Sequence, residues 1–75
     1  MIIATINKHR LFIQFSKLIK NGLIHISNEK DFEKYQKLTD SVFEEFDFPD
    51  DSDRIDIQIK TGNKIIKKSI IINQR

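Results

Sequence analysis

The stretch that decides the predicted fold lies between residues 28 and 47 and reads NEKDFEKYQKLTDSVFEEFD. Its apolar side chains recur at steps of three and four residues, which is the spacing of one face of an α-helix. They are Phe32, Tyr35, Leu38, Val42, Phe43 and Phe46. Ser27 or Asn28 can cap the first turn, and Pro49 closely follows the last one. We therefore predict a long amphipathic helix over about residues 28–47.

The segment after this helix predicts a β-hairpin. Residues 54–60 read RIDIQIK and alternate strictly between apolar and polar side chains, as a half-buried strand does. Residues 61–63 supply turn residues, and residues 64–73 form an isoleucine-rich return strand. The run Ile70-Ile71-Ile72 places apolar side chains on both faces of that strand, so we expect a homodimer or another cover on the second face.

The N-terminal part of the chain fits two structures. Residues 1–6 are typical of a strand, whereas the apolar side chains of residues 11–19 fit a helical stripe or an alternating strand. In the strand interpretation, Asn21-Gly22 is a two-residue hairpin turn into a strand over residues 23–27. The phenylalanine and isoleucine content favours the strand, and the state of residues 7–20 stays open.

Either interpretation gives a single α+β domain over residues 1–75. It consists of a small, mostly antiparallel sheet with the long helix packed on one face. The chain has no cysteine, which excludes disulfides and thiolate metal sites. No apolar run is long enough to span a membrane, and the first residues lack the pattern of a secretory signal. We therefore expect a cytoplasmic protein.

The charged residues are segregated along the chain, although the net charge is only +2. Residues 1–28 carry four basic side chains and no acidic one. Residues 29–56 carry all eleven acidic side chains and four basic ones. Residues 57–75 carry five basic side chains and no acidic one. The sequence therefore offers one acidic and two basic candidate surfaces.

The acidic middle segment is the first candidate binding surface. Glu44, Glu45 and Asp47 crowd the C-terminal end of the predicted helix, where the helix dipole disfavours each anion by roughly 0.3–1 kcal/mol. Repeated unfavourable placement of charge in one segment indicates a functional surface. Phe46 and Phe48 would serve as apolar anchors among the charges. The predicted partner-binding residues are Glu44, Glu45, Phe46, Asp47, Phe48, Asp50, Asp51, Asp53 and Asp56.

The partner predicted for this surface is a protein with a basic, nucleic-acid-binding groove, in which carboxylates stand in for phosphates. The chain would then be a small regulator or inhibitor that mimics nucleic acid. Small antagonists encoded by phages and mobile elements are similar in size and charge, which is an analogy of type rather than of motif. The alternative is a nucleic-acid-binding module that uses the basic ends of the chain. Its candidate residues are Lys8, Arg10, Lys60, Lys64, Lys67 and Lys68.

Catalytic and metal chemistry have little support in the sequence. His9 and His25 are too far apart for a helical ligand pair, and His25 is expected at the surface of a strand. An EF-hand loop needs glycine at its sixth position and glutamate at its twelfth. Counted from Asp51, those positions hold Asp56 and Gly62. We therefore predict no enzyme activity, no metal and no cofactor.

Overall fold

A computed structural model describes residues 2–72 of the chain, and the regular structure within them is β-strand throughout. The strands are β1 (Ile2–Asn7), β2 (Arg10–Asn28), β3 (Glu33–Asp47), β4 (Arg54–Thr61) and β5 (Lys64–Ile71). The predicted α+β class is therefore wrong, because the segment expected as a helix over residues 28–47 is the strand β3. No helix within residues 2–72 could cross a membrane.

The long strand β2 organises a single antiparallel sheet. β3 pairs along one edge of β2, while β1 and β4 share its other edge. β1 pairs with the start of β2, where Asn7 lies opposite Arg10. β4 pairs with the end of β2, where Asn28 lies opposite Ile55, and β5 continues the sheet beyond β4.

The sheet curls into a half-barrel because β2 and β3 bend where their register shifts. Gln14 pairs with Phe43, but the next pair is Ile19 with Ser41. The four residues 15–18 of β2 therefore lie opposite Val42 alone. Extra residues in one strand of an antiparallel pair bend it and increase its twist. Asp40 of β3, close to the shift, has a positive φ of 49°.

The bend brings both halves of β2 to one hydrophobic core on the inner face of the sheet. Leu11 and Ile13 come from the first half, Ile24 and Ile26 come from the second half, and all four are 0% exposed. Burying one such side chain contributes about 1.5–3 kcal/mol. The buried core is Ile2, Leu11, Ile13, Phe15, Ile24, Ile26, Leu38, Phe46, Phe48, Ile55, Ile57 and Ile59.

The connection between β3 and β4, residues 48–53, holds the two ends of β2 together. At one end the backbone N–H of Phe48 donates to the carbonyl oxygen of His9, with N and O 2.9 Å apart. At the other end the amide of Asn28 donates to the hydroxyl of Ser52, with Nδ2 and Oγ 3.0 Å apart. The half-barrel is thus closed at this side by a short connection with buried anchors.

The buried positions of β3 are not those of the predicted helical stripe. Leu38 and Ser41 are both buried, three positions apart, because the backbone changes direction at Asp40 between them. A regular strand would bury every second residue, whereas a step of three is also the step of a helix. Tyr35 and Val42, predicted on the buried helix face, are 60% and 53% exposed.

The predicted strands outside β3 are largely present. The C-terminal hairpin pairs β4 with β5, from Arg54 opposite Ile71 to Thr61 opposite Lys64, and the last residue predicted for it, Asn73, lies outside the described residues. Ile71 is 56% exposed while Ile70 packs against the core. The homodimer predicted from this two-faced strand stays a prediction.

The turn predicted at Asn21-Gly22 is wrong, because β2 runs straight through it. The glycine serves a close approach between strands instead. A Cβ atom on Gly22 would lie 2.7 Å from the carbonyl oxygen of Lys60, a distance at which the neighbouring strand would have to shift. Residues 11–19 are strand, as the alternation favours, and the strand predicted at residues 1–6 is β1.

Candidate functional site

The predicted acidic surface does not form one patch in the structure. Phe46 and Phe48 are 3% and 5% exposed and belong to the core, so neither side chain can anchor a partner as predicted. Glu44 is half-buried. Its carboxylate accepts hydrogen bonds from Gln36 Nε2 at 2.7 Å and from Ser41 Oγ at 2.8 Å.

Several of the other acidic side chains pair within the chain. Arg10 Nε lies 3.7 Å from Glu45 Oε2 and 3.2 Å from Asp47 Oδ1. Asp56 accepts hydrogen bonds from Arg54 Nε at 3.1 Å and from Ser69 Oγ at 2.6 Å. These pairs lie on the strands that flank the connection at residues 48–53, which itself carries Asp50, Asp51 and Asp53.

Two carboxylates form hydrogen bonds that hold this connection in place. Lys30 Nζ donates to Asp51 Oδ2 at 2.7 Å, and this hydrogen bond lowers the pKa of Asp51 from its ordinary value. The carboxylate of Glu29 is bonded by its own backbone N–H and by those of Asp53 and Arg54, which lowers the pKa of Glu29. The sequence interpretation missed Glu29, because that residue falls in the first turn of the predicted helix.

The basic candidates do not share one face either. Lys8 and Arg10 lie at the turn into β2, and Arg10 is paired with acidic side chains. Lys60 lies opposite Leu23, far along β2 from that turn. On β5, Lys67 lies opposite the outward-facing Gln58, whereas Lys68 lies opposite the buried Ile57. The hairpin therefore presents Lys60 and Lys67 on the outer face of the sheet. Lys64 and Lys68 lie on the opposite face of β5, which is an edge strand.

The outer face of the sheet, on the side away from the core, brings residues from four strands into two neighbouring rows. In one row Leu23 lies between Lys37 of β3 and Lys60 of β4. The second row crosses β3, β2, β4 and β5 in that order. Its members are Tyr35, His25, Gln58 and Lys67.

Tyr35 and His25 form an aromatic stack on this face. Their ring centroids are 4.3 Å apart and their planes differ by 12°. Glu33 Oε1 accepts a hydrogen bond from Tyr35 Oη at 3.1 Å and lies 2.9 Å from His25 Nε2. Because a carboxylate only accepts, this contact places a proton on Nε2. The hydrogen bond and the charge of Glu33 raise the pKa of Tyr35.

Around the stack, the acidic side chains are hydrogen-bonded within the chain, whereas the lysine side chains are not in ion pairs among residues 2–72. The acidic neighbours Glu33 and Asp56 accept hydrogen bonds from side chains of the chain itself. Lys37, Lys60 and Lys67 are exposed and form no ion pair among residues 2–72. We call Lys37, Lys60, Lys67, Tyr35 and His25 the lysine–aromatic face.

A hollow of about 240 Å³ opens beside the stack, between β2, β4 and β5. Among its lining residues are His25, Ser27, Asp56, Gln58, Lys67 and Ser69. Pockets for whole small-molecule ligands usually measure about 300–1,000 Å³, so this hollow suits a single ring or group. Among residues 2–72, no three His, Cys, Asp or Glu side chains are grouped so that they could hold a metal ion.

Tyr35 was missed as a site residue because the predicted helix buried it. His25 was placed correctly on the surface of a strand by its position between two isoleucines, but its neighbours depend on register, which that alternation does not define.

In comparison with known proteins, no family model matches the chain and no curated protein matches its sequence.

Proposed function

We propose that the protein binds nucleic acid through the lysine–aromatic face. The observation that carries this proposal is the stack of the exposed Tyr35 on the half-buried His25, flanked by three lysines without ion pairs among residues 2–72. Proteins that bind single strands combine positive charge along the backbone path with aromatic side chains on which bases stack. Phosphate contacts from lysine release counterions and favour binding without reading sequence.

The internal pairing of the acidic side chains supports the same proposal. Since the carboxylates of Glu33 and Asp56 are already hydrogen-bonded, they compete less for the nearby lysines. The chain has a sequence pI of about 9.0, which favours association with polyanions. We propose a cytoplasmic location, where nucleic acid is accessible.

The test is fluorescence anisotropy with labelled DNA and RNA oligonucleotides of about 12 nucleotides, within the range of known site sizes. The protein should bind at about 50 mM salt and release as salt rises. In the double variant K60Q/K67Q, the slope of log affinity against log salt should fall by roughly 0.7 for each lost phosphate contact.

The matched control is K8Q/K17Q, which removes the same charge outside the lysine–aromatic face. It should retain the wild-type slope. Absence of binding at low salt, or an equal loss in both double variants, would contradict the proposal. The control also tests the N-terminal basic segment, since loss of binding in K8Q/K17Q alone would place the contact there.

A second candidate function is the docking of a basic protein onto the connection at residues 48–53. The specific observation in its favour is that this exposed acidic segment is held by the buried Phe48 and Ser52, so little ordering is needed on binding. The regulator or inhibitor predicted from the sequence would then use Asp50, Asp51 and Asp53, without the buried phenylalanines.

Affinity capture from host lysate separates this candidate from the first. A partner that binds the connection should be captured by the wild-type protein and lost with D50N/D51N/D53N. The control D31N/E33Q/D40N removes equal charge outside the predicted partner-binding residues and should retain it. Capture that is indifferent to the first set of substitutions would rule out the acidic connection as the contact.

A further inference from the structure

The hollow beside the Tyr35–His25 stack carries a more specific inference about the ligand. We infer that it receives one unpaired nucleobase, stacked on the face of the His25 imidazole that Tyr35 leaves open. This inference rests on the proposed function, because it identifies the kind of nucleic acid as single-stranded and assigns its base a position. The lysines of the same face would contact the flanking phosphates.

The order of the strands defines which face of His25 is open. β2 lies between β3 and β4 in this part of the sheet. Tyr35 of β3 covers one face of the imidazole, with the two ring planes nearly parallel. Gln58 of β4 lies directly opposite His25 on its other side. The hollow is lined by His25 and Gln58 and not by Tyr35, which points to the side of the imidazole turned away from Tyr35.

Glu33 and Tyr35 fix the orientation of this stacking surface. The contact between His25 Nε2 and Glu33 restrains the imidazole, and the hydroxyl of Tyr35 bonds the same carboxylate oxygen. A base that stacks on the open face thus meets a ring that is already ordered. Preorganisation of this kind reduces the entropy lost on binding. The side chain of His25 keeps 28% of its surface exposed.

Two residues that line the hollow offer polar groups for the edge of a base. The amide of Gln58 is half-buried and makes no side-chain hydrogen bond among residues 2–72, and the same holds for the hydroxyl of Ser27. A glutamine amide presents a donor and an acceptor together, as the edge of a base requires. Lys67, which also lines the hollow, supplies a charge for the adjoining phosphate.

A paired base cannot enter this hollow, because its edge is occupied and its faces are stacked within the duplex. Single strands should therefore bind more tightly than a duplex with the same phosphates. An abasic strand isolates the base from the backbone, since it keeps the phosphates and lacks the stacking group. Stacking of one base should tighten binding by about 5- to 150-fold over the abasic strand.

The first experiment compares anisotropy for a single-stranded oligonucleotide, its duplex and its abasic analogue, in both DNA and RNA form. The expected order has the single strand tightest. H25L should abolish the advantage over the abasic strand, whereas H25F, which keeps an aromatic face, should retain it. If all three probes bind equally and K60Q/K67Q weakens all of them, the proposed function holds and the base position is wrong. If none binds, both are wrong.

The second experiment needs no variant and so remains decisive if H25L does not fold. The chain has two histidines, and His9 lies in the turn between β1 and β2, which makes it an internal control. On titration with the single strand, proton NMR should show the ring signals of His25 moving upfield through the ring current of a stacked base. The His9 signals should stay in place. Equal movement of both histidines, or movement of His9 alone, would overturn the inference.

Discussion

The side chain of Asn28 is hydrogen-bonded to the hydroxyl of Ser52 inside the protein, with Nδ2 and Oγ 3.0 Å apart and both residues buried. The other end of the same amide, Oδ1, accepts the backbone N–H groups of Lys30 at 2.9 Å and Phe32 at 3.1 Å. One side chain thus orders the turn between β2 and β3 and ties it to the connection at residues 48–53.

Replacing Asn28 with alanine should lower the free energy of unfolding by about 1–3 kcal/mol, because buried polar groups would lose their partners. Chemical denaturation of N28A against the wild-type protein measures this change. N21A is the matched control, since Asn21 is exposed and its side chain makes no hydrogen bond among residues 2–72. Equal stability of the two variants would contradict the role assigned to Asn28.

The hydrogen bonds of Asn28 also explain part of the wrong fold prediction. An asparagine that accepts N–H groups two and four residues later is similar to a residue that caps a helix. The local chemistry expected at Asn28 is therefore present, but it ends a strand and begins a turn. What the sequence pattern could not define is the path of the chain after residue 32.

Regular alternation made some strands predictable, whereas bends concealed others. The isoleucines of β4 alternate without interruption, and the hairpin was found from them. β3 bends at Asp40, so its buried positions change phase there, and three apolar residues of the predicted stripe, Tyr35, Val42 and Phe43, are exposed. Six of its 15 residues are lysine, glutamate or glutamine, which favour helices slightly, and tertiary packing overrides so weak a preference.

The candidate site depends on register, which explains why the sequence did not reveal it. Tyr35 and His25 meet because β2 and β3 pair in one alignment, and a shift of one residue would turn Tyr35 to the other face. Gly22 was misread for a related reason. Glycine within a strand can permit close approach of a neighbouring backbone as well as a turn, and here the neighbour is Lys60.

The contrast between Leu38 and Val42 tests the strand assignment directly. The helix prediction places both on one buried stripe, whereas in the structure Leu38 is 0% exposed and Val42 is 53% exposed. L38A should therefore cost about 2–5 kcal/mol of unfolding free energy, and V42A less than about 1 kcal/mol. Denaturant titration of both variants measures the difference. Similar losses would favour the helix.

We expect the free energy of unfolding to fall in acid, because Glu29 and Asp51 stabilise the turn between β2 and β3 and the connection at residues 48–53. Hydrogen bonds from backbone N–H groups lower the pKa of Glu29 below its ordinary value of 4.5, and Lys30 lowers the pKa of Asp51 below 3.8. A carboxyl group whose pKa is lowered in the folded state stabilises that state above the unfolded pKa. This contribution is lost as the pH falls through the folded pKa.

Thermal unfolding followed between about pH 6 and pH 2 by circular dichroism measures this dependence. The pH range extends below the ordinary pKa values because the pKa values of Glu29 and Asp51 are both lowered in the folded state. E29Q should show a smaller loss of Tm over that range, since its side chain does not titrate. E45Q is the control, as it removes a carboxylate outside the turn. A wild-type acid slope in E29Q would mean that Glu29 contributes nothing to it.

The titration of Tyr35 tests the geometry of the candidate site without any ligand. The chain contains one tyrosine and no tryptophan, so the absorbance change near 295 nm on ionisation reports Tyr35 alone. Its hydroxyl donates to Glu33, and the bond and the charge raise its pKa above the ordinary value of 10.0. In E33Q the charge is absent, and the midpoint should move down towards 10.0. E44Q should keep the wild-type midpoint, with circular dichroism confirming that each protein is folded at the pH of the titration. A midpoint that does not respond to E33Q would show that the carboxylate does not order the stack, and the prealigned imidazole face would lose its physical basis.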